Sequence, residues 1–264
     1  MSQAVTIGVF DSGLGGLSVL REIRRRVPHA DLIYCADQAF FPYGERPGCV
    51  VRERALCISE ALLGADAQAL VIACNTATAA AAESLRARSA VPIVGMEPAV
   101  KPAAAATRSG VVGVLGTGGT LRSARFAALL DRFAGYVRVV TRPAPELVEA
   151  VERGESEPPV RAAVEPLLAA GADVIVLGCT HFSFLRSAIA EVAGSGVHLI
   201  DTGAAVARRL RDCLPATAEQ AVDRRGAVRF WTTGDCRRSV AAITALWGEP
   251  ITLAPAPLAP SERA

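Results

Sequence analysis

Apolar residues along this chain fall into two alternating kinds of run. "VTIGVF" at 5–10, "DLIYCAD" at 31–37, "ALVIAC" at 69–74 and "VPIVGM" at 91–96 are short and nearly continuous. Such runs predict strands buried on both faces of a parallel sheet. Between them, "LSVLREIRRRV" places Leu17, Leu20 and Ile23 at helical spacing. A second helix is expected over roughly 49–63, and a third over the alanine-rich stretch from Ala77 to Arg88. Strand and helix in alternation predict βαβ units and a mostly parallel α/β fold. "FFPYGERPG" reads as a loop, and "EPAVKPAAAATRSG" as a crossover between domains. The tail after Ala254, "PAPLAPSERA", is rich in Pro and Ala and is expected to be disordered. Arg24, Arg25 and Arg26 read as a solvated helix face.

The pattern repeats. Gly8-Val9 recurs as Gly113-Val114, Ser12-Gly13 as Thr117-Gly118, and Cys74 as Cys179, always at one offset (179 − 74 = 105). "ALVIACNT" lies over "VIVLGCTH" without a gap. Two similar α/β halves are expected, facing each other across a pseudo-twofold axis, each with a strand-end hydroxyl and a strand-end cysteine. Each cysteine precedes polar residues, Asn75-Thr76 in one half and Thr180-His181 in the other. The carboxyl ends of strands are where open α/β sheets bind ligands. Amides, hydroxyls and turn N–H groups there are suited to holding a carboxylate.

Composition narrows the chemistry. The chain has 264 residues, 51% hydrophobic, with a formal net charge of +2. That charge is too small to point to nucleic acid, and charges or Gly/Pro interrupt every apolar run before it reaches membrane-spanning length. With no signal-peptide pattern at the start, a soluble cytoplasmic protein is expected. The seven cysteines are odd in number and lack CxxC spacing, so neither a disulfide framework nor a zinc ribbon fits. The three histidines, His29, His181 and His198, form no HExxH. Lys101 is the sole lysine and falls in the expected crossover, which disfavours pyridoxal phosphate. No cofactor and no metal are expected.

Two facing thiols could form a disulfide, could supply one nucleophile, or could act as an acid and a base. Thiols flanking a substrate carbon at about 3–3.5 Å each would lie about 6–7 Å apart, too far for a bond of about 2 Å. Asp11, His181 and Glu152 are the polar candidates to tune them. "DSGLGGLS" could also be a phosphate-binding turn, although Ser18 breaks GxGxxG. Glu152 could be a solvated helix charge beside Glu149 and Glu155.

"FDSGLGGLSV" at 10–19, "PYG" at 42–44, "ACNTA" at 73–77, "LGCTH" at 177–181 and, more loosely, "ELVEAVERGE" at 146–155 are similar to the motifs of glutamate racemases, in the cofactor-independent aspartate/glutamate racemase superfamily. The resemblance covers about 6–205. It implies two flavodoxin-like α/β domains, 1–98 (completed by a returning 208–264) and 99–207, with the active site in the cleft between them. It implies Cys74 and Cys179 as catalytic thiols, tuned by Asp11, Glu152 and His181. Ser12, Tyr43, Gly44, Asn75, Thr76 and Thr180 are implied as substrate-binding groups, together with Asp11 and His181. The implied reaction interconverts L- and D-glutamate and supplies D-glutamate for peptidoglycan. The expected partner is therefore a small molecule, glutamate, with neither nucleic acid nor membrane; a homodimer is left open. The chain departs from the family's usual pattern at Ser183, Gly116, Gly118 and Glu97. Rival readings are a racemase of another acidic amino acid such as aspartate, a cysteine hydrolase using Cys179 with His181, and a non-catalytic binding module.

Overall fold

The computed structural model describes residues 4–133, 135–215 and 225–258. Among them the strands are β1 (Thr6–Asp11), β2 (Asp31–Ala36), β3 (Ala69–Ile72), β4 (Ile93–Val94), β5 (Val111–Gly116), β6 (Arg138–Pro143), β7 (Val174–Gly178), β8 (His198–Ile200), β9 (Val228–Thr232) and β10 (Leu253–Pro255). They form two sheets, ordered β10-β9-β2-β1-β3-β4 and β6-β5-β7-β8. Every pairing is parallel. The run β2-β1-β3-β4 has the same order as β6-β5-β7-β8, and β5 and β7 begin at the expected offset from β1 and β3. The internal repeat is therefore structural. What distinguishes the first sheet is β9 and β10, which return to cover the edge of β2.

Helices lie on both faces of the sheets. They are α1 (Leu17–Arg26), α2 (Gly48–Gly64), α3 (Asn75–Arg88), α4 (Val100–Ala106), α5 (Gly118–Leu121), α6 (Ala124–Phe133), α7 (Pro145–Arg153), α8 (Val160–Ala169), α9 (Arg186–Ala193), α10 (Gly203–Cys213) and α11 (Cys236–Trp247). Period-two alternation sends Ile7 and Val9 to one core, with Leu17, Leu20 and Ile23 of α1 and Leu210 of α10. Phe10, Leu70, Ile72 and Cys74 go to the other, with Ile58 and Leu62 of α2. The second sheet splits in the same way: Val112 and Val114 face one side, while Leu115, Leu177 and Cys179 face the other. Each such fully buried aliphatic contributes about 1.5–3 kcal/mol, so strand placement, and with it the strand-end residues, is strongly fixed.

Two expectations fail, and a third gains detail. Arg24 is buried, donating to the carbonyls of Pro28, Ala30 and Ala227, whereas Arg25 and Arg26 are exposed. An Arg fork satisfies several carbonyls at once where the returning segment meets the end of α1. The stretch around Lys101 does cross from β4 of the first sheet to β5 of the second, and within it the short helix α4 packs Val100 and Ala103 under the second sheet. The tail is not disordered through 258: Leu253–Pro255 pairs with β9, Ala256 donates to the Thr232 carbonyl, and Ala256 and Leu258 are buried. The edge of β9 gives this segment backbone partners. The rest of the tail lies outside the described residues.

Candidate active site

The strand ends of both sheets converge on one small cavity. Asp11, Ser12, Tyr43, Gly44, Cys74, Asn75, Thr76, Cys179, Thr180 and His181 all line it. Every expected site residue except Glu152 is thus on the wall, and Glu152 sits directly behind His181.

Asp11 ends β1 and is fully buried. Its Oδ1 accepts the Ser12 N–H at 2.7 Å and the Ser12 hydroxyl at 3.3 Å. Its Oδ2 accepts the Gly16 N–H at 2.6 Å and, from the other half, the Thr180 hydroxyl at 3.3 Å. Burial pushes this carboxyl above its ordinary value, and the charge of His181 and the N–H bonds offset part of that. Cys74 caps α3: its Sγ accepts the Ala77 N–H at 3.4 Å and lies 3.9 Å from the Ser12 hydroxyl. Burial, then the charge of Asp11, drives this thiol well up.

Cys179 follows β7 and has a different neighbour. Its Sγ lies 3.5 Å from Nδ1 of His181, and Nε2 of that ring lies 2.7 Å from Oε1 of Glu152. Burial pulls the imidazole down, but the charges of Cys179 and Glu152 and the hydrogen bonds to them prevail, leaving it well above the ordinary histidine value. In the charged ring both nitrogens donate, to sulfur and to carboxylate. The Gly15 N–H is 3.2 Å from the same Nε2, which accepts it when the ring is neutral. The ring thus has partners in both protonation states.

Glu152 is no solvated charge. Its side chain is 10% exposed and accepts the Leu14 N–H at 2.5 Å, whereas Glu149 and Glu155 pair with Arg153 at the surface. Helix α7 starts at Pro145 and is stopped by Gly154 at φ 65°, which sets Glu152 in its final turn. "DSGLGG" is explained by the same contacts. A Cβ on Gly13 would overlap the Glu152 carboxylate, and one on Gly15 would overlap the His181 ring and the Thr180 hydroxyl. The glycines let His181 and Glu152 of one half press against the turn of the other.

Sequence reasoning assigned no role to several wall residues: Phe41, Pro42, Thr117 and Val148. Thr117 was visible as the repeat partner of Ser12; its hydroxyl lies 2.8 Å from that of Thr76 and 3.0 Å from that of Thr120. Val148 sits one turn before Glu152 and so shares its helix face. Asn75 is 5% exposed, and neither atom of its amide has a hydrogen-bond partner in the protein. A buried unpaired amide costs about 1–3 kcal/mol, and this one is placed to meet a ligand's polar groups. Ser183, Gly116, Gly118 and Glu97 do not line the cavity; Glu97 pairs with Arg125. Cys74 and Cys179 are free thiols. Among the described residues, no group of three or more His, Cys, Asp or Glu is placed to hold a metal ion.

Residues 7–210 match the model of the Asp/Glu/hydantoin racemase family. The chain is 56% identical over 254 residues to the glutamate racemase of Ectopseudomonas mendocina, spanning 94% of this chain and 96% of that one. It is 53% identical to that of Pseudomonas aeruginosa, over 94% and 96%. The Escherichia coli glutamate racemase, solved with L-glutamate and the activator UDP-MurNAc-ala, superposes with a TM-score of 0.87 at 32% identity, covering 97% of this chain and all of that one (100%). On the sequence, the fold and the paired strand-end thiols together, this chain belongs to the Asp/Glu/hydantoin racemase family.

Proposed function

We propose that this chain interconverts L-glutamate and D-glutamate by moving a proton at Cα between two thiols, without a cofactor. One observation carries the reading: two cysteines, each at a strand end and each with its own acid–base neighbours, line a single small buried cavity. The α-proton of an amino acid is very weakly acidic. Without an electron sink, the carbanion must be stabilised by fixed dipoles and charges in a site closed to water. For L-glutamate, the Cys179 sulfur removes the proton, with His181 and Glu152 behind it. Cys74 delivers a proton to the opposite face, with Asp11 and Ser12 beside it. For D-glutamate the roles exchange. Asn75, Thr76 and Thr180 hold a carboxylate next to the reacting carbon. The Tyr43 hydroxyl is bonded to Asp37 at 2.5 Å, so Tyr43 and Gly44 contribute to the wall chiefly through their backbone.

The product supplies D-glutamate for peptidoglycan, in the cytoplasm. Among the described residues, no helix is long and apolar enough to cross a membrane. We read the chain as two domains, 1–98 completed by 208–264 and 99–207. Membership of β9 and β10 in the first sheet, and packing of α10 on α1, support the return. A homodimer is checked by light scattering. The reaction is tested by circular dichroism on L- and D-glutamate without added cofactor, with aspartate alongside. Optical activity should decay from either enantiomer; a flat signal, or faster decay on aspartate, overturns the reading.

A further inference from the structure

A second buried charge cluster lies behind the cavity, at the end of β2. Asp37 is fully buried. Its Oδ1 accepts Nη2 of Arg54 at 2.8 Å and the Thr233 hydroxyl at 2.7 Å. Its Oδ2 accepts Nε of Arg54 at 3.0 Å and the Tyr43 hydroxyl at 2.5 Å. The Arg54 guanidinium, on α2, also lies over the Phe40 ring, 3.9 Å from its centroid. The end of β9 grips the same turn: Thr232 donates to the Gln38 side chain at 2.8 Å, and the Ala39 N–H donates to the Thr233 hydroxyl at 3.0 Å.

Replacing a buried ion pair by apolar groups is often neutral for stability, so its strength alone does not account for such a cluster. What an Arg–carboxylate fork supplies is direction. Here that direction bears on residues 40–44, held at Phe40 by the guanidinium and at Tyr43 by the carboxylate. Phe41, Pro42, Tyr43 and Gly44 form one wall of the cavity, and Gly44 abuts Thr117 of the other half. A shift of this wall changes the width of the cavity directly.

We propose that Asp37, Arg54 and Thr233 are positioning residues, which set the 41–44 wall and so the fit of glutamate, without taking part in proton transfer. The proposal rests on the glutamate reading, and turnover by the unsubstituted protein tests that reading separately. The test is steady-state kinetics from each enantiomer, with thermal unfolding, on Thr233→Val, Thr233→Ser, Arg54→Lys and Arg54→Met. Losing one charge-assisted bond should raise KM about three- to tenfold for both enantiomers in Thr233→Val, with kcat within about twofold. Thr233→Ser, which keeps the hydroxyl, should restore KM. Arg54→Lys should raise KM about tenfold, because an ammonium cannot hold both carboxylate oxygens, and Arg54→Met should raise it further. An unchanged KM with a lowered Tm makes the cluster merely structural and overturns the proposal. So does a fall in kcat with KM unmoved. If the Arg54 variants do not fold, the Thr233 pair decides alone.

Discussion

The two halves share strand order and offset, but their acid–base equipment differs. Cys74 is flanked by a hydroxyl and a fully buried carboxyl, Ser12 and Asp11. Cys179 is flanked by an imidazole backed by a second carboxylate, His181 and Glu152. A racemase works on opposite faces of one carbon, and duplicated α/β units supply two equivalent strand ends to set against those faces. L- and D-glutamate have equal free energy in water, so kcat/KM must match in both directions whatever the side chains are. Symmetry of rate therefore does not require symmetry of residues. The halves keep in common what sets distance, the strand-end cysteines, and diverge in what tunes a proton.

The sharpest test removes one thiol at a time. Cys74→Ser and Cys179→Ser should each slow racemisation by about 10²–10⁴-fold, the range of a lost acid–base group. In D₂O, Cys74→Ser should still exchange the Cα proton of L-glutamate through Cys179, and Cys179→Ser that of D-glutamate through Cys74. Proton NMR of both substrates checks this; equal exchange of both enantiomers in each variant would mean the halves are not face-specific. In the unsubstituted protein, early product should carry deuterium while remaining substrate stays protiated.

Next come the glycines that let the halves touch. Gly15→Ala should cost about 10²-fold in kcat by displacing the His181 ring, and Gly13→Ala about tenfold by displacing Glu152. If Gly13→Ala proves the worse, the ranking of His181 over Glu152 is wrong.

A smaller effect separates the halves by pH. His181 is held above its ordinary value, so the stability it contributes is full below about pH 6.5 and is lost as pH rises through the folded-state value. Asp11 is also raised, so its sign is the same, but its window starts lower, at the ordinary carboxylate value of about 4. The stability gap between the unsubstituted protein and His181→Gln should therefore shrink from neutral to alkaline pH, read by urea unfolding. A widening gap would reverse the assignment. The smallest expected effect is none: Lys101→Ala and exhaustive dialysis against EDTA should leave kcat unchanged, and recovery of lost activity by pyridoxal phosphate or a divalent metal would refute a cofactor-free reaction.

Much of this was legible in the sequence because strand runs buried on both faces leave an unambiguous apolar trace. Strand ends then betray themselves where Cys-Asn-Thr or Cys-Thr-His interrupts that trace. What pattern reading missed depends on contacts remote in sequence. Arg24 looks like its exposed neighbours until Ala227 arrives beside it. Leu253–Pro255 looks like a tail until β9 offers an edge. Glu152 is one acid among three on a helix until the turn at Leu14 closes on it. Thr117 carried its signal in the repeat, but a lone threonine in a turn has too many ordinary explanations to be singled out.

The return of β9 to β2 also orders events in time. The first sheet starts at Thr6, yet its β2 edge is covered only after Val228 has been made. On the ribosome, Cys74, Cys179, Asp11, Glu152 and His181 all emerge well before Thr233, whose hydroxyl bonds the turn that leads into the cavity wall. The nascent chain therefore passes through a stage in which free thiols stand beside an open strand edge, before the cavity has closed around them.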